Sequence, residues 1–109
     1  MSTYLPNAEF AVVDITKLRD YCLNPRHGKG KHKARLFAAI LGLTADDAEE
    51  LREALLMATL TWETIPVEQD EYGQRYTLDF QMMKQGNQAT VRSCWIIRPN
   101  ENVPRLTSC

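Results

Sequence analysis

No run in this sequence approaches the roughly 20 consecutive apolar residues that a membrane-spanning helix needs. The opening stretch, Met1 to Asn7, has neither the basic start nor the apolar core of a secretory signal. Together these absences make the cytoplasm the expected compartment and set membrane partners aside. Cysteine is scarce: Cys22, Cys94 and Cys109, the nearest two fifteen positions apart, fit no metal-binding or redox spacing. Three thiols cannot all pair with one another, so free thiols in a reducing compartment are expected. Histidine is scarcer, with His27 and His32 alone, and their separation is not that of a helical zinc pair. No metal and no cofactor is expected. A dinucleotide fingerprint and a nucleophile elbow are missing too, and Gly28-Lys29-Gly30-Lys31 lacks the spacing of a Walker loop. With no linker, repeat or low-complexity segment, residues 1–109 are expected to form one domain.

What is present is the composition of an ordinary folded protein, 44% hydrophobic and 25% charged, but the charge is segregated. Between Tyr21 and Ala45 there is no acid, while Arg26, Lys29, Lys31, Lys33 and Arg35 contribute +5. Between Asp46 and Glu71, nine acids against the single base Arg52 give −8. Such asymmetry fits a polyanion-binding face or an internal pairing of the two surfaces. The sequence does not choose between them.

Helical periodicity fills the first half. After an extended start, with Phe10 to Val13 suited to a strand or an anchoring arm, Asp14 is a good N-cap. Ile15, Leu18, Tyr21 and Cys22 follow at helical spacing until Asn24-Pro25 stops the helix. A second helix is predicted from Lys31 or His32, burying Ala34, Phe37, Ala38 and Leu41, with Gly42 as a left-handed cap. Thr44 and Asp47 form a capping box for a third helix, Leu43 packs on Ala48 as a staple, and Leu51, Leu55 and Ala58 line its buried face to about Thr61.

From there the period changes to 2. Ile65-Pro66-Val67 suits an edge strand. Tyr76, Leu78, Phe80 and Met82 alternate with Arg75, Thr77, Asp79 and Gln81 along a second strand. Lys84 to Asn87 reads as a hairpin turn, Ala89 to Arg98 as a central strand, and Pro104 to Cys109 as a returning one. The predicted fold class is therefore α+β, with about three N-terminal helices packed on one face of a C-terminal antiparallel sheet of three to four strands.

Chemistry concentrates in the loop and helix start from Asn24 to Arg35. Glycines allow close backbone approach, a helix N-terminus favours anions, Lys and Arg neutralise phosphate, and histidine moves protons near neutral pH. Metal-independent RNA cleavage needs these parts. The proton carriers would be His27 or His32, with Arg92 from the sheet as a further catalytic candidate. Lys29, Lys31, Lys33, Arg35 and Thr107 would hold the nucleic acid. A solvated loop, or one paired with the acidic third helix, is the plainer reading of the same residues. Pairing with Asp79 and neighbouring acids is the plainer reading of the sheet arginines.

The segments Leu18-Arg19-Asp20-Tyr21-Cys22-Leu23-Asn24-Pro25, Gly30-Lys31-His32-Lys33-Ala34-Arg35-Leu36-Phe37, Leu41-Gly42-Leu43-Thr44, Glu71-Tyr72-Gly73 and Pro104-Arg105-Leu106-Thr107-Ser108 resemble a bacterial family known as domain of unknown function 6883. The resemblance spans nearly the whole chain and implies no activity by itself. Similar segments lie at the ends of large secreted polymorphic toxins. More distantly, helices followed by an antiparallel sheet resemble the architecture of barnase-, colicin- and RelE-type RNases, an analogy of fold rather than of site. The leading expectation is a small RNase-like or toxin-like domain acting on RNA without a metal, and the alternative is a non-enzymatic module whose basic loop docks an acidic protein partner or, as a homodimer, a second copy of the chain.

Overall fold

A computed structural model describes residues 3–109. Three helical segments come first. The first, α1, spans residues 15–22: one α-helical turn, Ile15–Lys17, widens to π geometry over Leu18–Cys22. Asp14 caps it as expected, its carboxylate accepting the Thr16 backbone N–H at 2.9 Å and hydroxyl at 2.6 Å. The second, α2, spans residues 31–41, with Lys31–Leu36 α-helical and Phe37–Leu41 again π. Gly42 ends it at φ 67°, the left-handed cap that glycine adopts without steric cost. The third, α3, covers Ala48–Thr61 and is entered through the 3-10 turn Ala45–Asp47. Its capping box is present, with the Asp47 carboxylate accepting the Thr44 backbone N–H at 2.9 Å.

The second half is a four-stranded antiparallel meander: β1 Ile65–Asp70, β2 Gly73–Lys84, β3 Asn87–Ile97 and β4 Arg105–Ser108, in that spatial order. The β2–β3 turn has positive φ at Gln85 (50°) and Gly86 (84°), matching the two-residue hairpin geometry that follows strand twist. Its register places Tyr76, Leu78, Phe80 and Met82 opposite Trp95, Ser93, Val91 and Ala89. Those two rows form one sheet face, and the helices cover it. Leu18, Leu51 and Leu55 join Leu78, Phe80, Val91 and Trp95 in one hydrophobic core. Each fully buried leucine stabilises the fold by about 1.5–3 kcal/mol. Ser93, polar on this inward row, donates to the Leu78 carbonyl at 2.8 Å and accepts the Trp95 indole N–H at 2.9 Å.

Two details differ from expectation, at Ala38 and in the extended start. Ala38 is exposed, because the π turn of α2 rotates it off the face that Ala34, Phe37 and Leu41 bury. The Phe10 to Val13 run contributes no named strand and follows the other expectation, an anchoring arm, with Val13 buried and the Val12 N–H and carbonyl bonded to Pro104 and Leu106. Ala8–Phe10 is a 3-10 turn, Phe10 is 63% exposed, and Val12 makes one isolated parallel bridge to Arg105. The sheet is also asymmetric: β4 pairs only with Cys94, Trp95 and Ile96, leaving the outer edge of β3 from Asn87 to Ser93 without a strand partner. The edge strand β1 is exposed throughout and carries Pro66 opposite Tyr76. No described helix is long and apolar enough to cross a membrane.

Candidate functional site

The basic loop is built against α1. The Asn24 side-chain oxygen accepts the Arg26 backbone N–H at 2.9 Å, turning the chain after the helix. His27 then closes the loop from inside: its Nδ1 accepts the backbone N–H groups of Lys29 and Gly30, both at 3.1 Å. With that lone pair occupied, the neutral ring carries its proton on Nε2. The ring also stacks on Tyr21, centroids 4.4 Å apart and tilted by 55°. Gly30 is needed for space, since its φ of −88° is open to any residue. A Cβ there would lie 2.2 Å from the Tyr21 carbonyl oxygen.

The side chains singled out in the sequence divide among three surfaces. His27 and Thr107 line one cleft with Asp14, Lys17, Asp20 and Tyr21, so the helical and sheet halves do meet there. In that cleft the Lys17 ammonium donates to the Thr107 carbonyl at 3.2 Å, and the Thr107 hydroxyl donates to the Cys94 carbonyl at 3.1 Å. The hydrogen bonds from Thr16 hold the Asp14 carboxyl below the usual carboxylate range. Lys33 and Arg92 line a second groove of about 340 Å³ between α2 and the unpaired edge of β3, floored by Phe37, Leu41 and Val91. Arg35 lines a third hollow beside Asp46. His32 and Lys29 stand exposed, and Lys31 is half-exposed. Of these three hollows, only the first contains a histidine, His27.

Arg92 lies directly across the β2–β3 pair from Asp79 and grips it with two bonds of 2.9 and 3.0 Å. The guanidinium correspondingly lowers the Asp79 pKa. Arg75 pairs with Asp70 at 3.1 Å, Arg105 with Glu101 at 2.8 Å, and Arg98 with Glu101 at 3.8 Å. Of the acids at the start of the third helix, Asp47 and Glu50 bind Lys84 at the end of β2 rather than the basic loop. Among the described residues, none of Arg26, Lys29, Lys31, Lys33 and Arg35 has a hydrogen bond or ion pair through its charged group. No group of three or more potential metal ligands occurs among the described residues.

The family model for Domain of unknown function (DUF6883) matches residues 4–109, nearly the full length. The chain belongs to that family. No curated protein and no solved structure matches it. The likeness to barnase-, colicin- and RelE-type RNases therefore rests on the order of elements alone. Family membership places the basic loop, the cleft and the β3 groove inside the matched region, and it assigns none of them a role.

Cys22, Cys94 and Cys109 are free thiols, as the sequence led one to expect, and Cys22 and Cys109 are buried.

Proposed function

We propose that this chain is a non-enzymatic interaction module whose basic loop and first α2 turns dock an acidic protein partner. The observation that carries this reading is the set of five unpartnered cations. They stand on one loop and one short helical stretch, in a protein whose other cations are engaged. Unpaired like charges on neighbouring turns repel one another and add nothing to the fold, and an opposing acidic surface removes that repulsion. An acidic protein is favoured over RNA by the overall balance. The net charge is −1 and the pI about 6.1, whereas nucleic-acid-binding domains are generally strongly basic.

Metal-independent RNA cleavage is the second reading, supported by the cleft that joins His27, Lys17 and Thr107. It is weakened by the chemistry of His27, whose one lone pair serves two loop amides and is not free to take a proton from a ribose hydroxyl.

Titration of the full chain with a poly-glutamate peptide tests the first reading. Binding that weakens steeply with salt is expected, and it should fall about tenfold or more in a Lys29→Glu/Lys31→Glu/Lys33→Glu variant. Equal binding by the variant would remove the proposal. Incubation with total RNA in EDTA, beside a His27→Ala/His32→Ala variant, tests the second. Cleavage by the parent protein that the double variant loses would overturn the non-enzymatic reading.

A further inference from the structure

The stretch of β3 from Asn87 to Ser93 is the open side of the sheet, since β4 pairs no further along β3 than Cys94. The turn from β2 fixes which backbone groups stand free there. Lys84 and Asn87 close that two-residue turn and face each other, and such a closing pair exchanges both of its hydrogen bonds. Bonded pairs then alternate along the ladder, through Ala89, Val91 and Ser93. Gln88, Thr90 and Arg92 therefore turn their N–H and carbonyl groups away from β2. All three residues are exposed, and among the described residues no other backbone group bonds to theirs. Beside this edge runs the groove floored by Phe37, Leu41 and Val91, with Leu36 and Ile40 of α2 58% and 45% exposed along it.

We propose that the open edge of β3 accepts a strand from an acidic partner protein, an extended segment in which apolar and acidic residues alternate. This inference rests on the docking reading and deepens it by giving the acidic partner a conformation and a seat.

Backbone, floor and charge each select that segment. The free donors and acceptors of Gln88, Thr90 and Arg92 pair with any extended chain laid in line with β4, about 4.8 Å from β3. A strand seated there points alternate side chains to the two faces of the sheet. On the helical face they meet Leu36, Ile40 and the apolar floor, so apolar residues fit. On the other face they stand beside the row of Gln88, Thr90 and Arg92. The groove is lined by two cations, Lys33 and Arg92, and by no acid. Lys33 has no ion-pair partner among the described residues. Carboxylates are thus the complementary charge. The same charges argue against a second copy as the occupant. Residues 87–93 contain Arg92 and no acid, so pairing β3 with β3 brings like charges to one seam, which destabilises it.

The test adds to the full chain a short peptide alternating glutamate and valine, with a peptide of the same composition arranged in two blocks as control. Affinity is measured by titration, and amide hydrogen exchange is followed by NMR. The alternating peptide should bind about tenfold or more tightly than the block peptide, since only it sends its valines to one face. The Gln88, Thr90 and Arg92 amides, open in the free protein, should become protected in the complex. Thr90→Pro removes an edge-facing donor, a change that edge strands tolerate. It should abolish the preference for the alternating peptide and leave poly-glutamate binding intact. Leu36→Ser/Ile40→Ser, on exposed positions, should weaken the alternating peptide as well, and so decides the matter even where proline disturbs the hairpin. Equal affinity for the two peptides, or binding that leaves the three amides unprotected, would overturn the strand proposal, while poly-glutamate binding still judges the docking reading separately. Protection of those amides in the free chain, growing with protein concentration, would make a second copy the occupant and overturn it too.

Discussion

Arg75, Lys84, Arg92, Arg98 and Arg105 are the five cations of the sheet half, and each lies within ion-pair distance of a carboxylate. Arg26, Lys29, Lys31, Lys33 and Arg35 are equal in number, and none has such a partner among the described residues. The remaining three cations are engaged as well: Lys17 and Arg52 with backbone carbonyls, and Arg19 with Asp20. Residue type does not separate these sets, since both contain lysine and arginine. Placement does. The sheet cations sit across a strand pair, a turn or the hairpin-to-helix contact from an acid. The basic run sits on a loop whose shape is held by the His27 imidazole and the Asn24 amide, leaving its cations no structural task. Charge that the fold uses and charge that the fold merely displays are thus spatially separate, and substitution should affect them differently.

The largest expected effect lies in the sheet half, at the buried and fully partnered Ser93. Ser93→Ala removes the acceptor of the buried Trp95 indole N–H and the donor to Leu78. Leaving a buried donor unsatisfied costs about 1–3 kcal/mol. Denaturant unfolding should show that loss with an unchanged m-value, and an unaltered midpoint would mean that the Ser93–Trp95 pair contributes nothing.

How much of this was legible follows the range over which each cause acts. Asp14, Gly42, Thr44–Asp47 and the alternation from Tyr76 to Met82 act within a few residues, and the sequence displays them directly. The burial of Ala38 could not be read correctly, because whether a turn is α or π depends on what packs beneath it. The partners of Arg92 and Lys84 depend on strand register and on docking of a hairpin to a helix. Asp79 was foreseeable from the first, and Asp47 with Glu50 was not. His27 lay in the segment that attracted chemical attention, but its role in closing the loop leaves no signature beyond two following glycines.

A smaller effect ranks the sheet cations against one another. Lys84 has a side chain 15% exposed and binds both Asp47 and Glu50, whereas the Arg92 side chain is 71% exposed and binds Asp79 alone. Screening by water weakens the exposed pair more. Lys84→Met should lower the melting temperature measurably, Arg92→Met less, and 0.5 M salt should narrow the gap. The reverse order would show that the link from hairpin to helix is not what makes these pairs matter.

Acid titration separates used from displayed charge without any substitution. The Asp47, Asp70, Asp79 and Glu101 carboxyls all have pKa values lowered by their hydrogen bonds, from the Thr44 backbone and from Arg75, Arg92 and Arg105 respectively. A carboxyl whose folded pKa lies below its unfolded value stabilises the fold fully above the unfolded pKa, near 4, and that contribution is lost as pH falls through the folded value. Stability should therefore be level from neutrality down to about pH 4 and decline below it, as followed by thermal unfolding across the range. A decline that begins well above pH 4 would show that groups other than these four carboxyls set the acid limit.

The smallest expected effect on stability is the most informative about the displayed set. Arg26 and Lys29 are exposed and unpartnered, and Arg26→Glu/Lys29→Glu should change unfolding free energy by less than about 0.5 kcal/mol. Reversal even relieves some repulsion along the run, so a slight gain is admissible. The same variant should bind an acidic partner more weakly and with a flatter salt dependence. Indifference of the fold combined with sensitivity of binding is what charge kept for a partner requires. A clear loss of stability would instead reveal a fold-internal use for the run and merge the two sets into one.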